Sequence, residues 1–381
     1  MNDRWNVPLG VLSVAGLTAA MVIVLLIHTL PAAGQDSCSG VQVNPGDDLD
    51  AIVNPDPRSR ATTFCVNANP DGTTATYNIS ATLRLKDGDR LIGEQGTTKT
   101  REPATYGVPK VNIRPSGSLD KIIAAVGEDI EIQWLDIAGA VGKTTTSGTP
   151  QTGTGAGITA GSADGDFLVQ NAVIHGNDAA GILNVKGRIF NSEFYDNTQN
   201  PVFLGFNGSA VKGTTEYEAA YNYVHDEQGN GLWCDVGCKN DPVRQNGFWV
   251  HDNLTVDNAR SGIRYESSPK DLASGVHASE PTALIERNEV HGNSYGENRG
   301  GISAADTQNA SIRNNVFGAK TIAGVAYRAN AARPGAVKAS DSGRSSRTDL
   351  WNAEIVDNVL NGEVIKGCEL PDDVVYCANN G

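Results

Sequence analysis

Residues 229–268 read GNGLWCDVGCKNDPVRQNGFWVHDNLTVDNARSGIRYESS. Two segments in this stretch match in order and type: Gly231-Leu232-Trp233-Cys234-Asp235 and Gly262-Ile263-Arg264-Tyr265-Glu266. Between them lies Phe248-Trp249-Val250-His251-Asp252-Asn253, an alternating apolar run closed by asparagine. The same run recurs on both sides, as Phe167–Asn171, Arg188–Asn191, Ala283–Asn288, Ser311–Asn315 and Glu354–Asn358. Just downstream of these runs, Asn177, Asn197, Glu227, Asn258 and Asn293 form a second column, at intervals of 20, 30, 31 and 35 residues. Alternation with period two is the signature of strands, and self-similarity at this spacing is that of a repeat array.

Each unit is too short to bury its own apolar face and must stack on the next. Asparagine at the unit corners tolerates the left-handed backbone of a sharp bend, and stacked amides can bond from coil to coil. Unequal spacing implies fixed corners with loops of variable length leaving them. Three insertions stand out: Gly139–Gly155, Ser267–Thr282 and Ala329–Asp349. A propeller needs more regular blades, and a helical solenoid conflicts with the alternation. The pattern predicts an all-β parallel β-helix over residues 76–367, preceded by an irregular cap over 35–75 and followed by a disulfide-tied tail over 368–381.

The chain has 381 residues and a formal charge of −14, from 44 acidic and 30 basic side chains. An acidic surface repels nucleic-acid backbones, so no nucleic-acid partner is expected. Neutral or cationic partners, or a polyanion bridged by Ca2+, stay open. Apolar residues make up 39%, and 43 glycines point to frequent tight turns. Val7–Leu30 is almost wholly apolar and is followed by Pro31-Ala32-Ala33-Gly34, a small-residue cleavage pattern. Residues 1–34 are therefore a cleaved signal peptide or an uncleaved anchor helix, and either places the rest outside the cytosol. Six cysteines agree with an oxidising compartment. Their clustering suggests the pairs Cys38–Cys65, Cys234–Cys238 and Cys368–Cys377, although six cysteines permit 15 connectivities.

Aligning the segments that follow the second column without gaps gives Gly181–Val185, Pro201–Gly205, Gly231–Asp235, Gly262–Glu266 and Gly301–Ala305. The second position is always apolar and should face the core. The third and fifth should then face outward. The third position reads Leu183, Phe203, Trp233, Arg264 and Ser303; the fifth reads Val185, Gly205, Asp235, Glu266 and Ala305. With coils about 4.8 Å apart, Trp233, Arg264, Asp235 and Glu266 form one exposed cluster with Phe203 beside it. Paired carboxylates at this spacing can push one pKa up and so divide acid from base, as attack on a sugar linkage requires. Asp235, Glu266 and Arg264 are the candidate catalytic residues, with Trp233 and Phe203 as substrate-binding aromatics. A bland reading uses the same residues: a surface cation–π contact of Arg264 on Trp233, with Arg264 bridging both carboxylates. His175, His225 and His291 share a column interrupted by Tyr195 and Val256. Corner histidines bonded to backbone explain it better than a metal site. Cys234 and Cys238 lack a second nearby cysteine pair, so they are expected to form a disulfide rather than a zinc site. No metal or cofactor is expected; Asp306 and the Asp/Asn-rich corners offer Ca2+ no specific spacing.

The frame Tyr77-x-Ile79…Leu83-x-Leu85-x-Asp87-Gly88-x-x-Leu91-x-Gly93 resembles the first coil of pectate-lyase-like proteins. The run Gly231–Asp235, Asn253–Asn258, Gly262–Ser267 resembles secreted bacterial right-handed parallel β-helix repeat proteins of the pectin-lyase-like type. This resemblance implies a right-handed coil and a polysaccharide or cell-surface glycan as partner. The sharper signatures of that group are missing: there is no N-T-D, D-D and G-H-G set, no R-x-P-x-x-R and no D-P-H-E. Two functions remain: an extracellular polysaccharide lyase or glycoside hydrolase, and a non-catalytic adhesion β-helix that binds glycan or protein. Both are expected to be monomeric and to meet a membrane only through the N-terminal segment.

Overall fold

In the computed structural model the described residues are 38–55, 60–160, 167–235, 238, 247–266, 282–296, 300–307, 309–322, 324–330, 337–340, 354–364, 368–369 and 374–377. The expected N-terminal signal or anchor, 1–34, lies outside them. Among the described residues no helix is long and apolar enough to cross a membrane.

Alternation becomes burial as expected: Ala75–Ile79 and Leu83–Leu85 each bury every second side chain. The strands stack coil on coil in parallel register on three faces. The first face carries Thr63–Val66, Arg90–Gly93, Ile130–Gln133, Phe167–Gln170, 187–190, 217–220, Phe248–His251, Ala283–Glu286 and Ala310–Arg313. The second runs from Ala75–Ile79 through Asp136–Ala138, Val173–His175, Glu193–Tyr195, Tyr223–His225, Leu254–Val256 and Glu289–His291. The third holds Leu83–Leu85, Lys121–Ala125, Ala156–Ala160, 180–183, 209–213, Asn230–Cys234, Ile263–Glu266 and Ile302–Ala305. Ala180–Phe190 and Ser209–Ala220 run around a corner, so the third and first faces join in one sheet. Ile158, Ile182, Val211, Leu232, Ile263 and Ile302 form one continuous inner column, fully buried. Such a column is what coil stacking removes from water.

At the corner between the first and second faces the jobs of bend and bond fall on neighbouring residues. Asn191, Tyr221, Asp252, Arg287, Asn314 and Asp357 take the left-handed backbone, with φ between 50° and 59°. The next residue in most coils is a buried asparagine: Asn222, Asn253, Asn288, Asn315 and Asn358. Each of the first four donates its Nδ2–H to the Oδ1 of the next, at 2.9 to 3.0 Å. The second column forms a matching ladder, in which Asn177 donates to Asn197, and Asn258 to Asn293, which donates to Asn330.

Several boundaries differ from the sequence reading. Parallel pairing begins at Val41–Val43, inside the expected irregular cap. Pro201–Phe203 is a 3-10 turn capped by the Asn200 side chain, and the strand of that coil starts at Ser209. Pro201 lacks the N–H that a ladder needs, whereas Asn207-Gly208 supplies the bend. Val337–Ser340, inside the expected insertion 329–349, pairs with Ile302–Ala305 as a further third-face strand. Three antiparallel hairpins among the described residues are absent from the sequence reading: Thr97–Arg101 with Ala104–Val108, Lys320–Ile322 with Val325–Tyr327, and Val359–Leu360 with Glu363–Val364. Residues 267–281 of the second insertion lie outside the described residues. Cys38–Cys65 and Cys234–Cys238 are disulfides. Cys368 stands opposite Cys377 in an antiparallel pair, with their side chains outside the described residues.

Candidate functional site

Strand register places Lys212, Trp233 and Arg264 on successive coils of the third face, pointing away from the core. The Lys212 Nζ sits 4.2 Å from the Trp233 ring centroid, and the Arg264 Cζ sits 4.8 Å from it. Lys212 also lies 4.9 Å from the Phe206 ring. Asp235 pairs with Lys212 at 2.8 Å, and Glu266 with Arg264 at 2.5 Å. The expected outward cluster is assembled, but it is not exposed: Trp233 is 3% and Arg264 6% accessible. The indole lies between the cations of the coils on either side, which leaves no face for a sugar ring. The stack therefore takes the cation–π form, with Lys212 as a second cation that pairs with Asp235.

Phe203 does not belong to this cluster. It is fully buried against the insertion at Gly142, where an added Cβ would fall 2.2 Å from its ring. The aromatic beside the stack is Phe206, 49% accessible. Lys212 and Phe206 escaped the sequence reading because the ungapped alignment put Pro201 where Ala210 belongs. The signal was present in Asn207-Gly208, a turn dipeptide, ahead of Val211-Lys212-Gly213.

The second face gathers a stack of imidazole and phenol rings with carboxylates beside it. Tyr195 stacks between His175 and His225, with centroids 4.5 and 5.2 Å away and planes within 8° and 16°. His175 Nε2 is bonded to Asp136 at 3.0 Å, and Arg114 donates to the same carboxylate at 2.7 Å. His225 contacts Glu193 through Nε2 at 3.2 Å and Asp226 through Nδ1 at 2.7 Å. An imidazole that serves carboxylates at both nitrogens must hold both protons. Burial lowers the His225 pKa, but bonds to Asp226 and Glu193 outweigh it, so the net shift is upward. The Tyr195 phenol is pushed up to about 12, first by burial and then by the charges of Asp136 and Glu193. Among the described residues no side chain or backbone group is placed to hydrogen-bond its hydroxyl. The histidine column thus departs from the expectation of backbone-bonded corners: among the described residues His291 alone of the three binds a backbone carbonyl, that of Gly318 at 2.7 Å.

The hairpins bound this face. The Thr105 and Gly107 N–H groups donate to the corner carbonyls of Tyr221 and Asn191, at 3.1 and 3.0 Å. Tyr106 packs on Tyr223 with centroids 5.4 Å apart. Arg101 lies over Tyr223 and donates to the Tyr327 hydroxyl at 3.0 Å. Ala104, Tyr106, Tyr223, Leu254, Val256, Ile322 and Tyr327 thereby form an apolar cluster outside the main core. Arg114, Asp136, His175 and Glu193 remain partly open on the coils before it, and His225 beside Tyr223 at its edge. Among the described residues no three His, Cys, Asp or Glu side chains are placed to hold a metal ion.

No protein-family model matches the chain, and no curated protein does. Among solved structures it is similar to the A-module of the Azotobacter vinelandii mannuronan C-5 epimerase AlgE6. Identity there is 11% over 87% of this chain and 97% of that one, with a TM-score of 0.42. The Yersinia enterocolitica family 28 exopolygalacturonase aligns at 13% identity over 84% of this chain and 66% of that one, TM-score 0.37. The Dettilon tailspike protein aligns at 16% over 72% and 54%, TM-score 0.33. The parallel β-helix assignment stands on the strand register itself.

Proposed function

We propose that this protein acts on an extracellular polysaccharide by proton transfer at its second face. The observation that supports this reading is the Tyr195 phenol ring, stacked between two imidazoles that are each fixed by carboxylates. The phenol keeps its proton at neutral pH and can donate it to a leaving glycosidic oxygen. His175, with Nε2 bonded to Asp136, presents Nδ1 as the neighbouring base. Arg114 and the His225 imidazolium supply positive charge for a uronate carboxylate. The two disulfides fit a secreted setting. On this reading Asp235, Glu266 and Arg264 hold the third face together. Catalysis there would require both carboxylates to leave their cations.

The test incubates the full chain with polygalacturonate, alginate and xylan, with and without Ca2+, following unsaturated-uronate absorbance and reducing ends. Tyr195→Phe and His175→Gln are expected to lower turnover by at least 10²-fold, while Asp235→Asn and Glu266→Gln retain it. Turnover untouched by Tyr195→Phe sinks the assignment. Binding without turnover favours the adhesion alternative.

A further inference from the structure

The second amide ladder contains one carboxyl. Glu227 occupies the rung between Asn197 and Asn258 and is fully buried. Its Oε1 accepts the Asn197 Nδ2–H at 2.7 Å, and its backbone N–H donates to Asn258 Oδ1 at 3.1 Å. Its Oε2 is buried with no hydrogen-bond partner among the described residues. The next rung shows what is missing: Asn258 gives Asn293 Oδ1 two donors, its N–H at 3.2 Å and its Nδ2–H at 2.7 Å. A carboxylate cannot supply the second donor, and it would set an ionised oxygen in the buried ladder.

We infer that Glu227 is held as a neutral carboxylic acid whose Oε2–H donates to Asn258 Oδ1, so that it stands in for an asparagine and positions the corner carrying His225 and Asp226. The positioning clause rests on the proposed role of the second face; the protonation does not. Asn258 also donates to the Val224 carbonyl, directly before His225, at 3.4 Å. A break in the ladder at Glu227 would therefore loosen the strand end that presents His225. The charged groups facing Glu227 are His225 on its own coil, which favours ionisation, and Asp196 on the preceding coil, which opposes it. On the following coil Asp257 is occupied by Arg328 at 2.8 Å. Burial is the largest influence and pushes the carboxyl up to about 8.

The unfolded chain releases this proton above about 4.5, whereas the folded chain keeps it until about 8. The contribution to folding is complete below the lower value and falls about tenfold in the equilibrium constant per pH unit between the two. Glu227→Gln supplies a permanent donor and removes that slope.

Two measurements need no glycan. The infrared difference spectrum of wild type minus Glu227→Gln at pH 7 is expected to show the carbonyl stretch of a neutral carboxylic acid. In denaturant titrations the two proteins are expected to match at pH 4.5 and to diverge by on the order of a thousandfold at pH 8, with the Gln variant more stable. A carboxylate band at pH 7 or equal pH slopes would overturn the protonation. For positioning, the His225 ring titration seen by nuclear magnetic resonance should shift in Glu227→Ala and return in Glu227→Gln. A curve identical in all three proteins overturns that role. Because these arms read Glu227 and His225 directly, loss of the polysaccharide reading would leave their outcome intact.

Discussion

Asn253 shows how much one residue does in this fold. Its Oδ1 accepts both the backbone N–H and the Nδ2–H of Asn222, while its own amide donates to Asn288 and to the Ala219 and His251 carbonyls. Asn253→Ala strands several buried partners at about 1–3 kcal/mol each before relaxation. A loss of roughly 3 kcal/mol or more in urea denaturation is expected, whereas the same change at exposed Asn78 should cost under about 0.5 kcal/mol. The recurrence of asparagine was plain in the sequence, but its division of labour was not. At Asn314-Asn315 the first residue bends and the second bonds, and two adjacent identical letters cannot announce which does which. Tyr221 and Arg287 bend without any side-chain advantage, so their rows look interrupted to a reader of letters alone.

At the scale of elements, strands that bury one side against the coil stack were legible because their own residues alternate. The Thr97–Val108 hairpin was not, for a definite reason. Thr97–Arg101 is mostly exposed and lacks an apolar stripe, and the side chains that hold it, Tyr223 and Tyr327, arrive from distant coils. On the third face the inward column was right on four of five coils, and the slip at Pro201 replaced Lys212 with Phe203. Arg101→Ala removes the cation over Tyr223 and the donor to Tyr327. It should free the hairpin from the face, at a cost of about 1–3 kcal/mol. Hydrogen exchange is the check: amides of Ala104–Val108 should speed up while those of Phe248–His251 stay protected. Equal protection in both proteins would mean that the backbone bonds to Tyr221 and Asn191 suffice.

At the scale of the whole molecule, two sets of ionisable groups among the described residues have linkages that oppose each other. Bonds to His225, and to His251 and Arg287, hold Asp226 and Asp252 below their ordinary values despite burial, and Arg287 and Arg313 do the same for Glu286. Their contribution is present above the unfolded carboxylate range and is lost as pH falls through the lowered folded values. His225 and His251 have raised values, because bonds to Asp226 and Glu193, and to Asp252 and Glu218, outweigh burial. Their contribution is complete below the unfolded histidine value, about 6.5, and is lost as pH rises through the folded ones. Glu227 adds a decline between about 4.5 and 8. Because each coil rests only on its neighbours, the coils bearing Tyr223–His225 and Phe248–Val256 should be the first to open on either side of the optimum. Hydrogen exchange at pH 4, 6 and 8.5 is expected to find these coils most protected at the middle pH, and His251→Gln should flatten the alkaline side for Phe248–His251. Protection that rises steadily from pH 6 to 8.5, after correction for intrinsic exchange, would show that the imidazolium clamps do not govern these coils.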